Sequence, residues 1–240
     1  MSSPRPWTVL PHDPLVQLDE DLWAVSGSLP RGPMNRRMTV VRLGGGALVF
    51  FNAVPLDEPS MRTLESAGRP AWLVVPTRFH RLDLHAWKVR YPGVKVLCPP
   101  PARAQVEKVV AVDGALDLLP AVPGLEAISI EGSRGEEAVL LVRQGTRASL
   151  VFGDVVMNLP HRPGIGGLLL RALGTSGGPK VTPLARLTLS DRAAAAAHLE
   201  ALASTPGLVR LVPSHGEIVE QDAAAVLRGL ARRLGGRRGR

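Results

Sequence analysis

The chain contains one cysteine, Cys98, in 240 residues, which excludes an intramolecular disulfide framework and a zinc site built from several thiolates. Aromatic residues make up only 4%, and no basic stretch is interleaved with them, so the stacking platforms of single-strand nucleic-acid binders are missing. No run of about 18 apolar residues occurs, and the first segment, MSSPRPWTVLPHDPLV, lacks the continuous apolar core of a signal peptide. These absences predict a soluble, cytoplasmic protein without a membrane span. Acidic residues are missing from one end: residues 228 to 240 (RGLARRLGGRRGR) hold six arginines and no acid, so a net charge of +8 leaves the rest of the chain at +2. The surplus reads as a basic Gly/Arg tail over 231 to 240, disordered and solvated, and no specific nucleic-acid partner is expected.

What is present suits an α/β domain. Hydrophobic residues make up 45% of the chain, enough for one sizeable core, and a single domain over residues 1 to 230 is predicted. The start reads as two hairpins, PLVQL with LWAVSG and MTVVRL with ALVFFN, the second turned by Gly44 to Gly46. From residue 55 the rhythm changes to helix and buried strand: LDEPSMRTLESAG, AWLVV, LHAWKVRY, VKVLC. Strands return as LEAISI, EAVLLVR and ASLVF, and a Gly/Pro-rich insertion with one short apolar helix follows. The alanine-rich helix DRAAAAAHLEALA, the strand LVRLVP and the helix QDAAAVLRGLARRL close the chain.

Three apolar strands run into a polar residue able to bind metal: WLVVPTRFH reaches His80, SLVFGD reaches Asp154, and VRLVPSH reaches His215. Ligands gather at the carboxyl edge of the strands in an open α/β sheet, so three such endings can converge although 61 to 135 residues separate them. Each alone reads more readily as an ordinary loop residue or turn former, and the threefold recurrence brings the metal reading level with that one. Together they suit one divalent metal, zinc, iron or manganese, with a coordination position left for water.

The order strand and histidine loop, strand and Gly-Asp, strand and Ser-His-Gly resembles the metallo-β-lactamase superfamily, in particular a divergent bacterial branch without an assigned function. The resemblance runs from about residue 15 to about 230 and includes FGDVVMNLP, LARLTLSDR and LVPSHGEI. It implies a four-layer αββα sandwich with a metal cleft between the sheet edges, and hydrolysis by attack of metal-bound hydroxide. The family loop T-H-x-H-x-D-H faces Thr77-Arg78-Phe79-His80-Arg81-Leu82-Asp83 here, so only its second histidine is kept. Arg78 and Leu82 replace two ligands, Asp83 stands where the third histidine would be, and the mid-chain histidine is absent from 131 to 135. Asp154 and His215 match the bridging aspartate and the last histidine. The resemblance therefore implies a reduced, mononuclear site of His80, Asp83, Asp154 and His215, with Asp154 and His80 as catalytic residues. Two residues apart on a helix, Asp83 and His85 point away from each other, so only one can face the cleft; the resemblance favours Asp83, which stands at a family ligand position. The alternative is a non-catalytic descendant of the fold that binds a small molecule or a protein. The substrate, expected to be a small molecule, and the oligomeric state are not legible in the sequence.

Other signals read as structural. GTSGG, residues 174 to 178, matches a nucleophile-elbow pattern, but LLLRAL precedes it where a strand is needed and Pro179 follows where a helix should start. Cys98, ahead of three prolines, reads as a buried thiol. Trp72 and Trp87 read as core, and His161 and His198 as surface. PGIGGLLLRALG reads as a packed helix or as a cover over the cleft.

Overall fold

The computed structural model describes residues 5–236. Its first sheet holds six strands in chain order: β1 (Val16–Asp19), β2 (Leu22–Ser28), β3 (Asn35–Arg42), β4 (Ala47–Phe51), β5 (Arg69–Val74) and β6 (Lys95–Leu97). The first four pair antiparallel, and β4, β5 and β6 pair parallel. That switch follows from the connections: short turns join β1 to β4, whereas helices α1 (Glu58–Ala67) and α2 (Leu84–Arg90) carry the crossovers on either side of β5. The second sheet has the order β12 (Leu208–Pro213), β9 (Arg147–Phe152), β8 (Ala138–Gln144), β7 (Leu125–Ser129), with β12 parallel to β9. A two-stranded ribbon, β10 (Met157–Leu159) and β11 (Gly178–Lys180), carries α4 (Gly164–Ala172) between its strands.

Three apolar clusters show the layering. Leu22, Val49, Phe51 and Val74 of the first sheet meet Leu140, Val142, Val151 and Val212 of the second. The other face of the first sheet, with Met38, Phe50 and Leu73, is covered by Met61 and Leu64 of α1, Leu84 and Trp87 of α2, and Val106 of α3 (Arg103–Val106). The other face of the second sheet, with Val139, Leu141 and Leu150, is covered by α6 (Arg192–Ala203) and α7 (Ala223–Gly235). This is a four-layer αββα sandwich. Strands covered on both faces need apolar side chains at odd and even positions alike, which is why AVLLV and SLVF are unbroken apolar runs. Each fully buried leucine, such as Leu227 of α7, contributes about 1.5–3 kcal/mol.

Helix starts follow local chemistry. The Asp57 carboxylate accepts from the Ser60 amide at α1, and the Asp191 carboxylate accepts from Ala193 and Ala194 at α6. The insertion after β9 is more structured than one apolar helix: it also holds the ribbon and α5 (Pro183–Thr188). The predicted tail begins too early, because residues 231–235 belong to α7, where Ala231 and Leu234 are buried. Residues 237–240 of that tail lie outside the described residues. Trp87 is fully buried, as expected of a core residue, and Trp72 is partly buried beneath the Lys95 ammonium. Among the described residues no helix is long and apolar enough to cross a membrane.

Candidate metal centre

Two strand ends of the second sheet and one of the first meet at one edge of the sandwich. Pro213 of β12 pairs with Phe152 of β9, so Ser214-His215 and Gly153-Asp154 leave adjacent parallel strands side by side. The sheets are tied together there by backbone hydrogen bonds: the Arg37 amide of β3 donates to the Ser214 carbonyl at 2.7 Å, and the Ala138 amide of β8 donates to the Pro76 carbonyl at 2.9 Å. The second bond fixes the start of the loop Pro76 to Asp83 against the sheet that carries Asp154.

The result is a cluster of His80, Asp154 and His215 whose ligand atoms lie within 4.8 Å of one another. Asp154 Oδ1 is 3.6 Å from His80 Nε2 and 3.3 Å from His215 Nε2. Bonds of about 2.1 Å to a tetrahedral ion place ligand atoms roughly 3.4 Å apart, so both separations fit a shared ion.

The surrounding bonds aim these atoms. Thr77 Oγ1 donates its one proton to Asp154 Oδ2 at 3.0 Å, so the 2.9 Å contact with His80 Nδ1 has the imidazole N–H as its donor. His215 Nδ1 donates to the Asn35 carbonyl at 2.6 Å, because a carbonyl only accepts. Both imidazoles therefore turn Nε2 toward Asp154 Oδ1, as such outer hydrogen bonds do for metal-binding histidines. His80 Nε2 is buried without a hydrogen-bond partner, and an ion at this point would satisfy it.

Charge in the cluster is uneven. Burial lowers His80 to about 4, with His215 and Arg36 adding to the fall, so it is neutral near pH 7. Burial would also lower His215, but its hydrogen bond to Asp154 and that carboxylate's charge outweigh it and raise the imidazole above its ordinary value. Burial would raise Asp154; the His80 and His215 rings and the Thr77 hydroxyl reverse this and hold the carboxyl well below the usual range. Beneath them Glu137 is raised far above an ordinary carboxyl by burial and by the Asp154 charge. Glu137 Oε1 accepts the amides of Asp154 at 2.7 Å and Val155 at 3.1 Å and so fixes the turn that presents Asp154. Gly153 is needed there, since a Cβ would lie 2.7 Å from Glu137 Oε1 and 3.0 Å from Pro76.

Of the four residues expected to hold metal, the structure brings together His80, Asp154 and His215. Asp83 is placed elsewhere: it precedes α2 and its buried carboxylate is bound by the Arg36 guanidinium, with Arg5 Nε at 3.6 Å. Desolvation of Arg36 requires a close counter-charge, and Asp83 supplies it. His85 is not in the cluster either. Arg78 is paired with Glu136 at 3.7 Å. Thr77, Asn35, Arg36 and Glu137 were not singled out by sequence reading. Ser176 of GTSGG is buried against His161 at 3.0 Å, and Asp191 serves as a helix cap. Cys98 is buried, and desolvation raises its thiol to about 11.

No family model matches the chain, and no curated protein matches it. Solved structures do. A metallo-β-lactamase from Erythrobacter litoralis, with β-mercaptoethanol in its active site, superposes with a TM-score of 0.61 at 14% identity over 91% of this chain and 96% of that one. A metallo-β-lactamase from Hirschia baltica gives a TM-score of 0.59 at 13% identity, covering 91% and 97% of the two chains. One from Pontibacter korlensis gives 0.59 at 17% identity over 91% and 98%. The chain has the metallo-β-lactamase fold, at a sequence distance that fits strong divergence.

Proposed function

We propose that the protein is a metal-dependent hydrolase with one divalent ion held by His80, Asp154 and His215. The observation that carries this reading is the orphaned His80 Nε2, buried 3.6 Å from Asp154 Oδ1 in a cluster where the Nδ1 atoms of both histidines already have partners. A divalent ion in such a site acidifies water to give a nucleophile at neutral pH and polarises a carbonyl or phosphoryl oxygen. Imidazole and carboxylate donors suit zinc, iron and manganese alike.

The chain's own residues divide the remaining work. Thr77 occupies Asp154 Oδ2 and leaves Oδ1 for the ion. The Asn35 carbonyl and Thr77 fix the tautomers of the two histidines. A histidine near 4 is a poor proton carrier at neutral pH, so His80 acts as a ligand in this reading. Asp83, held on Arg36, takes no part in binding the ion.

The test is metal analysis of protein purified without chelator, paired with hydrolysis assays on lactones, thioesters and phosphodiesters. One equivalent of metal is expected, lost in His80→Ala and in Asp154→Ala, with hydrolysis lost alongside it. Protein that carries no metal, and whose melting temperature is unmoved by zinc, iron or manganese, overturns the reading.

A further inference from the structure

The cluster lies in a cavity of about 290 Å³, at the lower end of the range for small-molecule sites. Away from the charged groups its wall is apolar, with Leu29, Met34, Val155, Met157 and Leu189 among the lining residues. At the mouth, Phe79 and Leu184 line the cavity and yet stand 64% and 70% exposed. Leu187 of α5 and Ile165, Leu168 and Leu169 of α4 are exposed as well. Two close approaches tie α4 to the neighbouring segments. Gly166 of α4 sits so near Pro33, next to Met34, that a Cβ would lie 2.7 Å away, and a Cβ on Gly174 would lie 3.2 Å from Pro183 at the start of α5. A mostly apolar cavity around a few convergent polar groups is the usual form of a small-molecule site.

Charge narrows the chemistry. Arg78 and Glu136 line the cavity and pair with each other at 3.7 Å, so neither is a free charge for a second charged group. Met34 and Met157 supply flexible thioethers that adapt to a chain without fixed shape. We infer that the substrate is amphiphilic: a polar, hydrolysable group at His80, Asp154 and His215, joined to an uncharged alkyl or acyl chain that leaves between Phe79 and Leu184. What happens to the polar group rests on the hydrolase reading; the binding of the chain does not.

The chain can be tested without chemistry at the cluster. Full-length, metal-stripped protein is saturated with the neutral fluorophore N-phenyl-1-naphthylamine, which is displaced with 1-alkanols from butanol to octanol. Affinity is expected to rise about four-fold per methylene, the step for burying one CH₂ in an apolar site. Phe79→Ser with Leu184→Ser, both at exposed positions, is expected to weaken octanol at least ten-fold and butanol little, with an unchanged melting temperature. An affinity independent of chain length overturns the proposal. So does a double variant that binds octanol normally but turns a dimer into a monomer by light scattering, which makes the patch a contact between copies. A steep chain-length series in a protein that never binds metal removes the hydrolase reading and leaves this one standing; one metal equivalent with a flat series does the reverse.

Discussion

The carboxylate of Asp83 is bound to the guanidinium of Arg36, and both side chains are buried. The residue that the resemblance put at a ligand position is paired instead with a cation that β3 brings to the site. Arg36 keeps two nitrogens without partners, so Asp83 is its main compensation, with Arg5 sharing the carboxylate from the other side.

Replacing Asp83 by Asn leaves Arg36 buried without its counter-charge. Removing one partner of a buried pair costs about 3–5 kcal/mol, which urea denaturation will show as a lower midpoint. Metal content per folded molecule is expected to stay at one equivalent. Asp83→Asn protein of normal stability that has lost its metal would instead make Asp83 a ligand.

The fold was legible where both faces of a strand are covered, because that demands apolar residues at every position: AWLVV, EAVLLVR and ASLVF become β5, β8 and β9. His80, Asp154 and His215 were legible for a related reason, each being the polar residue that ends such a run. The partners that orient them left no local mark. Thr77 looks like any threonine after a strand, and Glu137 is the second of two adjacent glutamates, only the side chain of which enters the buried turn at Asp154. The pairing of Arg36 with Asp83 spans 47 residues, and the His215 contact with Asn35 spans 180, so neither produces a periodicity or a motif. Helix periodicity at Asp83 and His85 could show only that they diverge, and the structure places neither in the cluster.

Cys98 gives a pH-dependent check on the buried layer under β6. Burial raises the thiol from 9.0 to about 11, so the folded protein holds the proton more tightly than the unfolded chain. Its contribution to stability is complete below pH 9 and is lost as pH rises from 9 to 11. At pH 8 the native thiolate is roughly a hundred-fold scarcer than in the unfolded chain, and alkylation by iodoacetamide is expected to be slower by at least that factor until denaturant is added. Labelling at equal rates in native and denatured protein would show that Cys98 is open to solvent.

Gly216, directly after His215, holds the last of the three proposed ligands in place through its backbone. Its φ is +94°, its amide donates to Asn35 Oδ1 at 3.1 Å, and a Cβ would lie 2.0 Å from the Asn158 carbonyl. Alanine must shift either the strand at Asn158 or the peptide that follows His215, and that motion pulls His215 Nδ1 from the Asn35 carbonyl. Gly216→Ala is expected to lose about 2–4 kcal/mol of stability and, through the disturbed hydrogen bond behind the ligand, about 10–100-fold in metal affinity measured against a competing chelator. Gly45→Ala separates strain from crowding: φ there is +81°, but nothing lies within 4 Å of the added Cβ. It should cost about 1 kcal/mol and leave metal affinity alone. Equal effects of the two substitutions on metal affinity would mean that Gly216 acts through global stability and not through His215.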